Sequence, residues 1–412
     1  MSPDIPAVSL AAIRSAAETL RGVAIRTPME ESRWLSTIVG GPVLLKCENL
    51  QRTGSFKIRG AFTRMSRLTD DERARGVVAA SAGNHAQGVA LAARMLGIRA
   101  TVFMPEGAPI PKLNATRGYG AEVVFEGTVI DDSLAGAIEF AQQTGAVLIH
   151  PFDHEDIVAG QGTCGLEVLE QAPEAATVLV PVGGGGLIAG IATAVKAQRP
   201  DVRLVGVQAE QAASYPPSLA EGRPLALGSM NTMADGIAVG RPGDVPFAAI
   251  REHVDEVVTV SEESISRALV LLLERAKMVV EPAGAVAVAA ILDRPDRFAT
   301  PAVAVLSGGN VDPLLLGKLI RHGMASAGRY LSLRVRIPDR PGGLAGLLGD
   351  LADEGANVLE VVHERTLTTL SIDEVEVLVQ LETRSTDHAE AVLARLREHG
   401  YWVRSDGASQ PE

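Results

Sequence analysis

The 412-residue sequence predicts an α/β fold followed by a smaller domain. Between residues 76 and 209, short apolar runs such as GVVAAS, RATVFMP and TVLVPV alternate with helical segments. This alternation is typical of a parallel sheet covered by helices on both faces. From about residue 328 the order becomes strand, helix, strand, strand, helix, strand. That order predicts a βαββαβ, ferredoxin-like domain at residues 329–412, after a first domain at 1–325.

The composition excludes several classes of protein. The chain is 46% hydrophobic and 21% charged, which indicates a globular protein. Its net charge of −12 argues against nucleic acid as the main partner. The cysteines, Cys47 and Cys164, lack a metal-binding spacing and suit a reducing cytoplasm. Residues 177–195 are uncharged, but Pro181 and four consecutive glycines would break a membrane helix, so we expect no membrane span.

One short stretch, TGSFKIRG at residues 53–60, places Lys57 directly after a Gly-Ser-Phe run. Gly54 and Ser55 predict a turn and a helix N-cap, so Lys57 would lie in the first helical turn. The apolar residues that follow have the spacing of one helix face: Ile58, Ala61, Phe62 and Met65. The helix dipole and burial both disfavour a cation there. Lys57 is therefore either a solvated surface charge or an amine with a lowered pKa, suited to Schiff-base chemistry.

Three glycine-bearing loops follow predicted strands, where ligands of parallel α/β folds bind. SAGNHAQG at 81–88 precedes a helix, and its small residues let backbone amides approach an anion such as a carboxylate. GGGGL at 183–187 also opens a helix, and its amides can converge on a phosphate. SGGN at 307–310 ends another strand. Taken alone, SAGNHAQG is also compatible with a turn capped by Asn84, and SGGN would be an ordinary turn.

Two interpretations of these loops compete. An imine-forming lysine, a phosphate cradle, an anion-binding loop and a polar strand end together fit pyridoxal phosphate bound with an amino acid. Alternatively, Gly184, Gly186 and Ala189 match the dinucleotide pattern G-x-G-x-x-A, and Glu210 follows the next strand. That second interpretation predicts an NAD-dependent dehydrogenase and leaves Lys57 without a role.

Five motifs resemble a known family. TGSFKIRGA, SAGNHAQG, PVGGGGLIAG, MADGIAV and SGGN occur in the same order in threonine dehydratases (threonine ammonia-lyases), and the resemblance covers about residues 10–322. These are tryptophan-synthase-β-like, fold-type II pyridoxal-phosphate enzymes. The resemblance implies two subdomains with parallel sheets, the smaller at about 55–155. DRPGGLAGLLGDLADEGANV resembles an ACT domain, a regulatory module that binds amino acids.

The resemblance implies a role for each matching residue. Lys57 would form the imine with pyridoxal phosphate and move the Cα proton. The cofactor would be held by Phe56, Lys57, Asn84, Gly183, Gly184, Gly185, Gly186, Leu187 and Ser307. The substrate carboxylate would be held by Ser81, Gly83, Asn84 and His85. Asn84 would also bond the 3′-oxygen of the cofactor, and Ser307 would face its pyridine nitrogen.

Two positions depart from the serine racemases of this family. Those enzymes carry a second serine where this chain has Ala82, so we expect elimination rather than racemisation. They also bind a divalent metal through acidic residues at the positions of Glu210 and Pro216. Because proline offers no carboxylate, we expect no metal site.

The resemblance implies that the chain converts L-threonine to 2-oxobutanoate and ammonia, and L-serine to pyruvate, in isoleucine biosynthesis. A 3-hydroxyaspartate or serine ammonia-lyase is the alternative within the family, and an ACT-domain amino-acid sensor is the alternative outside it. Isoleucine or valine is the expected effector, at a site that includes Gly342, Gly343, Leu344 and Asn357. Because ACT modules usually pair, we expect a homodimer or homotetramer.

Overall fold

The computed structural model describes residues 8–365, 371 and 373–405. The chain divides into two compact units, Met1–Pro313 and Leu314–Glu412. This division falls at the start of the helix Pro313–Ser326, whereas the sequence places the domain boundary after that helix. The limits of the two domains remain a prediction.

The first unit alternates helices and strands. Its α-helices are α1 (Leu10–Thr19), α2 (Arg33–Val39), α3 (Lys57–Ser66), α4 (Asp70–Arg75), α5 (Asn84–Leu96), α6 (Ile110–Gly118), α7 (Ile130–Thr144), α8 (Glu155–Gln171), α9 (Gly186–Lys196), α10 (Tyr215–Glu221), α11 (Asp244–His253), α12 (Glu262–Leu271) and α13 (Pro282–Asp293). Its strands are β1 (Met29–Glu31), β2 (Val43–Lys46), β3 (Val77–Ala80), β4 (Ala100–Met104), β5 (Glu122–Phe125), β6 (Val147–Leu148), β7 (Thr177–Pro181), β8 (Arg203–Ala209), β9 (Glu256–Val260) and β10 (Ala302–Val305).

Two sheets organise this unit. The larger has the order β1-β2-β10-β7-β8-β9, and its neighbours are parallel except for the antiparallel pair β1 and β2. The smaller has the order β5-β4-β3-β6 and is parallel throughout. The predicted α/β fold with parallel sheets is therefore confirmed. The three glycine-bearing loops leave the carboxyl ends of β3, β7 and β10, where such sheets bind ligands.

The central strands of both sheets are buried along their whole length because helices cover both faces. Every residue of β3, β4 and β7 is buried, as a strand in the middle of a parallel sheet requires. Residues 177–195 form a strand, a glycine loop and the buried helix α9, as predicted. In the part of the chain that the structure describes, no helix is long and apolar enough to cross a membrane.

Buried charges anchor α3 to its neighbours. The Arg59 guanidinium is 1% exposed and contacts Glu48 at 2.8 Å and Glu167 of α8 at 2.7 Å. Lys46 also donates to Glu167, at 2.6 Å, and to the Thr27 carbonyl, at 2.9 Å. Burial alone would raise the pKa of Glu48, but the adjacent Arg59 outweighs burial and holds that pKa below its usual value. The cluster therefore contains ionised groups that compensate one another.

The second unit confirms the predicted βαββαβ order. After α14 (Pro313–Ser326) it contains β11 (Tyr330–Pro338), α15 (Gly343–Asp353), β12 (Asn357–Glu364), β13 (Glu374–Glu382), α16 (Thr386–Glu398) and β14 (Trp402–Ser405). The strands form one antiparallel sheet in the order β12-β13-β11-β14. Alternate residues of β11 are buried, because only one face of this sheet meets the helices.

The buried cluster predicts a large difference between two Glu→Gln substitutions. Glu48→Gln should lower the free energy of unfolding by about 3 kcal/mol, because it leaves Arg59 buried with less compensating charge. Glu18→Gln is the matched control, since Glu18 pairs with Arg21 at 2.8 Å on the surface. The control should change stability by less than about 1 kcal/mol. Denaturant titrations would contradict this if both variants lost the same amount.

Candidate active site

A cavity of about 600 Å³ opens at the carboxyl ends of β3, β7 and β10. All the residues that the sequence assigns to the cofactor and substrate line it: Phe56, Lys57, Ser81, Gly83, Asn84, His85, Gly183, Gly184, Gly185, Gly186, Leu187 and Ser307. The proposed effector residues lie in the second unit. Gly342 is the N-cap of α15, which begins with Gly343 and Leu344, and Asn357 begins β12.

Lys57 is the first residue of α3. The predicted N-cap was wrong, because Phe56 occupies that position. The cause is long-range pairing, since Ser55 forms a β-bridge with Gly308 and the Phe56 amide donates to the Ser307 carbonyl at 3.3 Å. The TGSFKIRG and SGGN motifs are thus joined through their backbones beside the cavity.

The Lys57 amine is perturbed by its surroundings. Its Nζ donates to the Pro151 carbonyl at 3.0 Å and lies 5.2 Å from the centre of the Phe56 ring. Burial lowers the pKa of Lys57 from 10.5 to about 8, against an opposing effect of Glu281. A partly buried lysine that lines a cavity is not a solvated surface charge. The structure therefore favours the amine with a lowered pKa.

In the glycine loop at 183–187, on another side of the cavity, no glycine side chain covers the backbone amides. A Cβ on Gly184 would overlap the Phe152 ring, and one on Gly185 would overlap the Tyr215 hydroxyl. Gly185 also has a φ of +98°, a conformation that favours glycine. Helix α9 begins at Gly186, so its N-terminal amides lie at the cavity. Bare amides at the start of an apolar helix fit a phosphate group.

The SAGNHAQG loop lies between β3 and α5. The Ser81 hydroxyl accepts a hydrogen bond from the Gly83 amide at 3.1 Å. The His85 Nε2 lies 2.7 Å from the Ile149 carbonyl oxygen, which only accepts, so Nε2 carries the proton. Burial, assisted by Lys57, lowers the pKa of His85 to about 3, so its ring is neutral. Because the other ring nitrogen then cannot donate, His85 can offer a carboxylate only its backbone amide.

Glu281 is a cavity residue that the sequence analysis missed. It directly precedes α13, is 3% exposed, and accepts a hydrogen bond from Asn84 Nδ2 at 2.7 Å. Burial, with a further contribution from Asp235, raises the pKa of Glu281 to about 7. The available signal was an acidic residue at the start of an otherwise apolar helix, EPAGAVAVAAIL.

An ion pair also lines the cavity. Lys112 of α6 donates to Asp235 at 2.6 Å, and Asp235 belongs to the MADGIAV motif. The pair connects the part of the unit that carries the smaller sheet with a turn that follows β8. Among the described residues, no group of three or more His, Cys, Asp or Glu side chains is arranged to hold a metal ion.

Comparison with known proteins identifies the family. Residues 20–308 match the family described as "Pyridoxal-phosphate dependent enzyme". The chain belongs to this family. Residues 331–399 match the ACT domain. Pyridoxal phosphate is therefore the cofactor, and the interpretation as an NAD-dependent dehydrogenase is wrong.

Named relatives extend over nearly the whole chain. The L-threonine ammonia-lyase of Thermotoga maritima is 46% identical over 97% of this chain and 100% of its own length. That of Geobacter sulfurreducens is 48% identical over 95% of this chain and 98% of its own. A crystal structure of threonine deaminase from T.th. superposes with a TM-score of 0.71 at 45% identity, covering 74% of this chain and 99% of that one.

Proposed function

We propose that this protein is a threonine ammonia-lyase, which converts L-threonine to 2-oxobutanoate and ammonia and L-serine to pyruvate and ammonia. The observation that carries this proposal is the convergence of the Lys57 amine, the glycine loop and the Asn84 loop on one cavity. Similarity to L-threonine ammonia-lyases over nearly the whole chain supports the same substrate.

The lining residues fit pyridoxal phosphate. The bare amides of residues 183–187 would hold its phosphate, Asn84 and Ser307 would contact its ring, and Lys57 would bind its aldehyde carbon. When bound, the cofactor withdraws electrons from the Cα of the amino acid and so makes the Cα–H acidic. The backbone amides of the SAGNHAQG loop, at the start of α5, would hold the substrate carboxylate.

Lys57 is the proposed base. With a pKa of about 8, about one Lys57 amine in ten is unprotonated at pH 7, far more than for an ordinary lysine. The free amine takes the Cα proton, and the Pro151 carbonyl, 3.0 Å from Nζ, accepts a hydrogen bond from the resulting ammonium. Loss of the β-hydroxyl with a proton removes one water, and hydrolysis to the 2-oxo acid and ammonia returns it.

The cavity charges favour a substrate with an uncharged side chain. Lys112 already pairs with Asp235 at 2.6 Å, so a second carboxylate would meet a neutralised lysine. Ile130 and Leu134 add apolar surface to the lining, which suits the methyl group of threonine. These contacts support threonine or serine over 3-hydroxyaspartate. A cavity with a reactive amine also argues against an ACT-domain sensor without catalysis.

Lys57→Ala should lower 2-oxobutanoate release from threonine at least about 10³-fold, because it removes both the cofactor-binding amine and the base. Lys196→Ala is the matched control, since Lys196 pairs with Asp255 at 2.9 Å and does not line the cavity. Circular dichroism should show both variants folded. Activity in Lys57→Ala equal to that of Lys196→Ala would refute the mechanism.

Ala82 predicts elimination in preference to racemisation. It lines the cavity and offers no proton donor. Ala82→Ser should raise the ratio of D-serine to pyruvate formed from L-serine, whereas Ala197→Ser, on the exposed end of α9, should not. Chiral chromatography of the reaction mixture measures the ratio. D-serine produced by the unaltered enzyme as fast as pyruvate would show that another group supplies the proton.

We further propose that the second unit regulates the enzyme by binding isoleucine or valine, within isoleucine biosynthesis. Gly342 has a φ of +93° and places bare backbone at the N-terminus of α15, which favours a carboxylate. Asn357 is exposed and donates to Glu382 at 3.2 Å, so its amide oxygen can meet an ammonium group. A cytoplasmic homodimer or homotetramer remains the expected form.

Asn357→Ala should weaken the response to isoleucine or valine while leaving activity without effector unchanged. Coupling of about 1–3 kcal/mol, or about 5- to 150-fold in affinity, is typical of such regulation. Asn114→Ala, on the exposed face of α6, should respond like the unaltered enzyme. Kinetics and calorimetry with each amino acid test this. If neither amino acid binds the unaltered chain, the second unit is not its regulatory site.

A further inference from the structure

Asn84 belongs to a chain of hydrogen bonds beside the cavity. Asn310 Nδ2 donates to the Thr53 carbonyl at 2.6 Å and to Asn84 Oδ1 at 2.8 Å. Asn84 Nδ2 in turn donates to Glu281 Oε1 at 2.7 Å. These hydrogen bonds therefore connect the segment before α3, the SGGN motif, the start of α5 and the residue before α13.

The Thr53 carbonyl determines which groups donate and which accept along this series of hydrogen bonds. A carbonyl oxygen only accepts, so Asn310 must turn its NH₂ group toward it, and the second proton of that group reaches Asn84. Asn84 must then face Asn310 with its oxygen. Its NH₂ group consequently lies on the Glu281 side, where a carboxyl oxygen accepts one of its two protons. The acceptor-only Thr53 carbonyl thus determines which side-chain amide atom is nitrogen and which is oxygen in both Asn310 and Asn84.

The local backbone conformation holds the Thr53 carbonyl, where these hydrogen bonds begin, in place. Thr53 has a φ of +63° and Gly54 a φ of +70°, so the carbonyl is presented by two consecutive left-handed residues. Side-chain atoms at position 54 would overlap Asn310 Oδ1, so a glycine is required there. The Gly309 amide donates to the Gly54 carbonyl at 2.9 Å and keeps the two segments together.

We propose that Asn310 and Glu281 are positioning residues that orient the Asn84 carboxamide so that its remaining N–H serves an anionic oxygen of the cofactor. This inference rests on the proposed function. Asn310 holds the Asn84 oxygen on its own side and Glu281 takes one N–H, so the carboxamide has one N–H left to offer the cavity. By family resemblance, the oxygen that it meets is the cofactor's 3′-oxygen, whose ionised form a donor stabilises.

Asn310→Asp in the full-length, cofactor-loaded protein tests the orientation. Aspartate has the same shape but can donate neither hydrogen bond, so it attracts the Asn84 NH₂ group and turns the Asn84 oxygen toward the cofactor. The dissociation constant for pyridoxal phosphate should rise about tenfold or more. The visible absorption band of the bound cofactor should lose intensity to a band at shorter wavelength. Asn114→Asp, an equal charge change on exposed α6, should alter neither property.

Two substitutions of Glu281 provide a second test if Asn310→Asp fails to fold. Glu281→Gln keeps an oxygen that accepts from Asn84, so the band should persist and affinity should stay within about threefold. Glu281→Leu removes the acceptor and should behave as Asn310→Asp does. A normal band in Asn310→Asp or Glu281→Leu, or equal damage by Gln and Leu, would overturn the inference. An unaltered protein that shows no cofactor band at all would instead refute the proposed function.

Discussion

Burial of the Arg59 guanidinium is the constraint on which the arrangement of the active site depends. A charge with 1% exposure is tolerable only with full compensation, and Glu48 and Glu167 approach it to 2.8 and 2.7 Å. These partners lie beside β2 and on α8, so the cluster connects α3 to two other elements. Lys57 lies two residues before Arg59 on the same helix, and its position is therefore determined by the same contacts.

Around Lys57, burial in the low-dielectric cavity shifts the pKa values of the ionisable side chains toward their neutral forms. Burial lowers the pKa of Lys57 to about 8, of His85 to about 3 and of His150 to about 4. Burial also raises the pKa of Glu281 to about 7. These side chains are thus less charged than their counterparts in water. The site therefore presents neutral imidazoles, and a lysine with a raised fraction of free amine, to a cofactor and substrate that bring charges of their own.

The elements set by local patterns could be predicted from the sequence. Apolar runs marked strands of the parallel sheets, and the spacing of Ile58 and Met65 marked α3 as a helix with buried apolar residues. Lys57 and the glycine loop could be singled out because a lysine and four glycines are unfavourable at helix starts unless a ligand uses them. Their convergence on one site was predicted from the glycine loop's position after a strand and from the family resemblance.

The features set by distant parts of the chain could not be predicted. Ser55 failed as an N-cap because Gly308, far along the sequence, pairs with its backbone. Glu281 escaped notice because its role depends on Asn84, and nothing in the local sequence links them. The pairing of Lys112 with Asp235 likewise requires the fold to bring α6 to the MADGIAV turn.

The most direct test of this description is a measurement of the Lys57 pKa in the cofactor-free protein. Competitive acetylation across a pH series, followed by peptide mass spectrometry, reports the free-amine fraction of each lysine, with the other lysines as internal references. The expected midpoint for Lys57 is near pH 8, because burial disfavours its charged form. A midpoint near 10.5, the usual value for a lysine, would contradict the assignment of Lys57 as the buried, reactive amine.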